Sequence, residues 1–125
     1  MQLNDISGKI IEFSIKVHKE LGPGMLESAY EACLLYELRQ AGLKAESQLK
    51  LPIIYQGVKI EAGYRIDLLV EDSVIVELKT VERILPIHEA QLLSYLRLSK
   101  LKLGLLINFN VKLLRDGIRR IVNNF

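Results

Sequence analysis

Asp67, Glu77 and Lys79 are three of the few polar residues in an otherwise apolar stretch. Together they could hold a hard cation beside a compact ammonium. Tyr64 to Val70, the turn Glu71-Asp72-Ser73 and Val74 to Lys79 read as a β-hairpin. Strand side chains alternate faces. With Val70 opposite Val74, Asp67 falls opposite Glu77. The same register collects Tyr64, Ile66, Leu68 and Val70 with Val74, Val76 and Leu78 on one apolar face. A slip of one residue would mix the two faces, so the apolar pattern selects this register. Carboxylates directly across a strand pair have Cβ atoms about 5 Å apart. Like charges that close do not both stay ionised in a partly dry site unless a cation sits between them. Mg²⁺, which prefers oxygen ligands, suits that place. Lys79 stands roughly 7 Å along the strand from Glu77 and could hold a water or a phosphate oxygen. The competing reading is an ordinary surface lattice of ion pairs among Arg65, Asp67, Glu77 and Lys79.

The surrounding elements must position these groups. Asn4 is expected to cap a helix running to about Glu20, with the stripe Ile6, Ile10, Phe13, Val17, Leu21. Gly22-Pro23-Gly24 breaks it. A second helix is expected from about Leu26 to Gln40, with Leu26, Tyr30, Leu34 and Leu38 on one side and Gly42 at its end. Strands Lys44 to Tyr55 and Val58 to Val70 flank a tight turn at Gln56-Gly57. The hairpin supplies the third strand. Pro86 opens a third helix over Ile87 to Ser99. Leu103 to Phe109 reads as a buried strand and Gly117 to Val122 as a short edge strand, with a short helix across Val111 to Asp116 as an option. The order predicts an α/β layered domain with a mixed sheet, whose third and fourth strands are made parallel by a right-handed helical crossover.

Composition sets the outer bounds. The chain has 125 residues, half of them hydrophobic, which suits one domain over 1–125 with a real core. No apolar run reaches the roughly 18 residues of a membrane span, and the N-terminus has no basic, apolar leader pattern. A single cysteine, Cys33, excludes an internal disulfide and a cysteine-rich zinc site. A soluble, cytoplasmic protein is expected. The net charge of +2 is small, but Arg97 to Phe125 holds seven basic residues (Arg97, Lys100, Lys102, Lys112, Arg115, Arg119, Arg120) against one acid, Asp116. A clustered positive end could grip phosphates, and an ordinary solvated surface explains it equally well.

Further residues share helix faces. Glu27 and Tyr30 are three apart, and Gln91 and Tyr95 are four apart, with His88 three residues before Gln91. Taken singly, each has a plain explanation. Tyr30 and Tyr95 suit amphipathic packing, and Glu27 suits a first-turn acid on the helix dipole.

Gly24-Met25-Leu26-Glu27-Ser28-Ala29-Tyr30, then Asp67, Glu77-Leu78-Lys79, and Gln91 followed by Tyr95 resemble the motifs of the GxxExxY proteins, in order and over nearly the whole chain. That family is similar to the PD-(D/E)xK nucleases. The resemblance implies a restriction-endonuclease-like α-β-β-β-α-β core, here with an extra N-terminal helix. It implies that Asp67 and Glu77 bind Mg²⁺ or Mn²⁺, with the Leu78 carbonyl and Glu27 completing the shell. Lys79 would orient or activate the attacking water, with Glu27 and Gln91 as further members of the catalytic site. Tyr30, Tyr95 and Arg65 are expected toward substrate. Ile66, where the superfamily often has proline, is a tolerated departure.

Three readings follow. The first is a metal-dependent nuclease hydrolysing phosphodiester bonds of DNA or RNA. The second is a non-catalytic nucleic-acid-binding or regulatory module on a nuclease fold. The third is a small structural or regulatory protein, as a monomer or a homodimer, whose charged face is the ion-pair lattice. The lattice gives no reason for Glu27 and Gln91.

Overall fold

A computed structural model describes residues 1–125. Helix α1 (Leu3–Leu21) buries Ile6, Ile10 and Val17 of the expected stripe and half-buries Phe13 and Leu21. Asn4 is not its cap. The helix begins two residues earlier than such a cap would set it, at Leu3 after Gln2, and the Asn4 side chain instead accepts a hydrogen bond from Arg120 at 2.8 Å. Helix α2 (Glu27–Gln40) buries Tyr30, Leu34 and Leu38 completely. Leu26 falls just outside this helix and is exposed, so it does not join their row. Gly42 follows the helix at φ +82°. Its N–H reaches the Arg39 carbonyl while that of Leu43 reaches Leu38, the paired closure that favours glycine at this place.

The strands are β1 (Ala45–Lys50), β2 (Ile53–Tyr55), β3 (Val58–Ile60), β4 (Arg65–Val70), β5 (Val74–Lys79), β6 (Leu103–Asn108) and β7 (Ile118–Val122). The two long early strands expected from the sequence are therefore each divided. Pro52 has no N–H to continue a ladder, and Gly63 turns the returning chain at φ +82°. The excised pieces, β2 and β3, pair only with each other. Gln56 and Gly57, both at positive φ, make the tight turn between them.

The main sheet runs β1-β4-β5-β6-β7. β4 pairs antiparallel with β1 and β5, while β5 and β6 are parallel, joined through helix α3 (Pro86–Ser99). A single turn of 3₁₀ helix, Leu114–Gly117, leads into the antiparallel edge strand β7. Every residue of β6 is buried, as a strand covered on both faces must be. Helices α1 and α2 pack on Leu68, Val70, Val74, Val76 and Leu78. Leu92, Tyr95 and Leu96 of α3 cover the opposite side with Ile75 and Leu106. Ile66 departs from the single apolar face expected of β4. It joins the α3 cluster instead, so the strand changes allegiance between Leu68 and Ile66, at Asp67.

Candidate metal centre

The expected hairpin register holds: Val70 pairs with Val74, Leu69 with Ile75 and Leu68 with Val76. Beyond that pair the backbone ladder gives way to side chains. The Asp67 N–H donates to Glu77 Oε1 at 3.2 Å, and the Leu78 N–H donates to Asp67 Oδ2 at 2.8 Å. Each strand's amide is thus bonded by the other strand's carboxylate. β4 and β5 splay here, and the two acids fill the opening. A residue's N–H and C=O point to the same side of an extended strand, so the Leu78 carbonyl also faces this opening.

β4 is loosened on its other side at the same level. Ser47 pairs with Leu68 and Leu49 with Ile66, but Gln48, between them, sits at φ +54°. That conformation is costly for a residue with a side chain. Its amide donates to Glu31 Oε1 at 2.7 Å and to Asp67 Oδ1 at 3.4 Å. Glu31 and Gln48 thus belong to the site, although the sequence reading singled out neither. Glu31 was legible in principle, four residues after Glu27 on the same helix face. Gln48 emerges only once β1 is laid beside β4.

Glu77 is 6% exposed. Burial, then the nearby charge of Asp67, push its carboxyl up to about 9, with the Lys79 ammonium pulling the other way. Burial and the Asp67 charge also raise Glu27, against Lys79. Glu31 is raised by burial and by Asp67, opposed by its hydrogen bond from Gln48. The Tyr95 hydroxyl is raised by burial and then by Glu77. Acids of two helix turns and two strands therefore crowd one another. The expected alternative, an ion-pair lattice, does not form: neither Arg65 nor Lys79 pairs with any acid. The negative charge here has no protein cation bound to it.

This donor set fits a hard divalent ion. Asp67, Glu77 and the Leu78 carbonyl offer oxygen ligands only, and an uncompensated buried carboxylate is stabilised by a cation. No three acidic, histidine or cysteine side chains converge into a ready-made cage. Glu27 stands at the start of α2, near enough to Asp67 and Lys79 for both charges to act on its carboxyl. Two carboxylates with waters are a usual complement for Mg²⁺, which keeps much of its hydration.

The remaining expected residues separate clearly. Gln91 donates to the Tyr95 hydroxyl at 3.2 Å, and the Tyr95 ring meets Tyr64 edge-on at 5.9 Å. These residues line a groove of about 420 Å³ on the α3 side. Arg65 is exposed at the head of β4, its guanidinium 3.5 Å from the Gln48 carbonyl. His88 is spent at the start of α3, where its Nδ1 accepts the Leu85 N–H at 3.0 Å. Tyr30 does not meet the expectation of a substrate contact, because its side chain is wholly buried and stacked on Phe109 at 4.4 Å. Its hydroxyl donates to the Gly22 carbonyl and accepts the Met25 N–H. It pins the loop that delivers Glu27. Tyr30→Phe should therefore cost about 1–3 kcal/mol of stability, read from urea midpoints at unchanged slope.

The C-terminal charges do not form one patch either. Arg97 in the last turn of α3, with Lys100 and Lys102 after it, lies toward the start of β6, whereas Lys112 and Arg115 follow its far end.

A family model described as the PD-(D/E)XK nuclease superfamily matches residues 4–121. Neither a curated protein nor a solved structure gives a match.

Proposed function

Since the chain belongs to the PD-(D/E)XK nuclease superfamily, we propose that it is a divalent-metal-dependent phosphodiesterase acting on nucleic acid. The observation that carries this reading is the splayed end of β4 and β5, where Asp67 and the buried Glu77 face each other with no protein cation. Within the superfamily we assign the chain to the GxxExxY proteins. Each fixed letter of that pattern has a physical task here. Gly24 turns the loop at φ +95°, Glu27 opens α2 beside the acids, and Tyr30 ties the loop down.

Asp67, Glu77 and the Leu78 carbonyl would hold Mg²⁺ or Mn²⁺. When bound, such an ion polarises a phosphoryl oxygen and makes a coordinated water more acidic. Lys79 is held by β5 two residues beyond Glu77 and is free of ion pairs, so its ammonium can orient the attacking water and offset charge growing on the phosphate. Glu27 and Glu31 can accept protons or hydrogen bonds from outlying waters. Gln91 fixes the Tyr95 hydroxyl next to Glu77, and Arg65 offers an unpaired cation at the rim for a neighbouring phosphate.

The absence of three convergent acids favours one second reading, a nucleic-acid-binding module without turnover. The test is cleavage of plasmid DNA and of a labelled RNA in Mg²⁺, in Mn²⁺ and in EDTA. The nuclease reading expects metal-dependent cleavage of at least one substrate and a loss of roughly 10³-fold or more in Asp67→Ala. Cleavage by Asp67→Ala at the parent rate would end it. Binding of both polymers with no cleavage in either metal would favour the module.

A further inference from the structure

We propose that a basic cleft beside the metal centre is the seat for the phosphate backbone of the nucleic acid. The proposal deepens the reading above by giving the substrate a binding track.

The cleft has a volume of about 730 Å³ and lies between the last turns of α1, the Gly22-Pro23 loop and the segment Lys112–Arg115. Lys19, Lys112 and Arg115 line it, together with His18, and no acid does. None of those three cations forms an ion pair. Half of the eight other lysines are different. Lys9, Lys16, Lys44 and Lys59 each meet a carboxylate within 4 Å. Three unpaired cations around one concavity raise the local positive potential and attract a polyanion.

Topology brings this cleft to the metal centre. β5 and β6 are parallel, with Lys79 beside Asn108, and the Phe109 N–H donates to the Lys79 carbonyl at 2.9 Å. The chain leaving β6 toward Lys112 and Arg115 therefore exits at the sheet end that carries Glu77 and Lys79. The route is fixed by packing. Phe109 stacks on Tyr30, and His18 Nε2 donates to the Val111 carbonyl at 2.8 Å. The Gly22–Met25 loop, pinned by Tyr30, forms a shared wall with the cleft on one side and Glu27 just beyond its other end. A backbone seated on Lys19, Lys112 and Arg115 could thus continue past Glu27 to the opening between β4 and β5. Contacts of this kind position a strand without reading its sequence.

The experiment measures binding of labelled single-stranded and duplex oligonucleotides by fluorescence anisotropy, in EDTA so that nothing is cut, across a salt series. Lys112→Gln/Arg115→Gln removes two exposed cations. The control, Lys100→Gln/Lys102→Gln, removes the same charge near the opposite end of β6. The cleft variant should bind roughly tenfold or more weakly at low salt. Its slope of log affinity against log salt should fall by about 1.4 for single strands or about 1.8 for duplex. The control should keep the parent slope. Equal losses in both variants, an unchanged slope in the cleft variant, or no binding by the parent would overturn the proposal. Divalent-ion stabilisation, read by melting, should be intact in the cleft variant because the metal ligands are untouched. Parent binding with the expected slope change but no metal response would refute the catalytic reading and leave the cleft standing.

Discussion

Glu77→Gln should stabilise the metal-free protein at alkaline pH and abolish both divalent-ion stabilisation and cleavage. The sign follows from the carboxyl being raised to about 9 in the fold against an ordinary value near 4.3. Between those values the folded protein keeps a proton that the unfolded chain has released. Metal-free stability of the parent therefore falls by about 1.4 kcal/mol per pH unit over that window and is level on either side of it. Glutamine is neutral throughout and fills nearly the same volume, so this slope should vanish. At pH 8 the gain would be on the order of 5 kcal/mol, visible as a higher denaturant midpoint. Saturating Mg²⁺ should reverse the ranking, since only the parent binds the ion in its folded state. Because binding must displace the Glu77 proton, the parent's metal affinity should rise about tenfold per pH unit up to the neighbourhood of pH 9.

Lys79→Ala should separate binding from chemistry. Lys79 is near enough to Glu77 and Glu27 for its charge to lower both carboxyls, yet it makes no ion pair and donates no hydrogen bond that the fold depends on. Removing it leaves the ligand oxygens in place. Divalent-ion melting shifts should persist or grow slightly. The single-turnover cleavage rate should drop roughly 10²–10³-fold, the size expected for losing one group aimed at developing charge. Loss of the metal response in this variant would assign Lys79 to holding the site together rather than to the reaction.

Both predictions turn on residues that the sequence singled out for a physical reason. A carboxylate and a lysine in the middle of Val74-Ile75-Val76-Glu77-Leu78-Lys79 contradict the apolar character of a buried strand, and a buried charge persists where function holds it. The Val70–Val74 register followed from alternation alone. Positions governed by tertiary geometry were harder to read. Tyr30 looked like a partner of Glu27 because helical spacing sets them three apart, yet spacing does not say that one side chain points at the core while the other stays outside. Gln48 carried no local signal, since its role depends on a backbone turn within β1 and on pairing with a strand 19 residues later in the chain. The division of the early strands at Pro52 and Gly63 was marked by the two residue types that most often interrupt strands. Ile66 fell to the opposite side because the splay at Asp67 broke the alternation that predicted its face. The C-terminal basic residues were close in sequence but are parted in space, because β6 carries the chain from one end of the sheet to the other.

The most direct test is anomalous diffraction from a crystal of the wild-type protein soaked in Mn²⁺ at pH 8. A peak between the carboxylates of Asp67 and Glu77, within about 2.5 Å of an oxygen of each, is the predicted result. An empty gap at saturating Mn²⁺, with the two carboxyls still bonded to the strand amides, would contradict it.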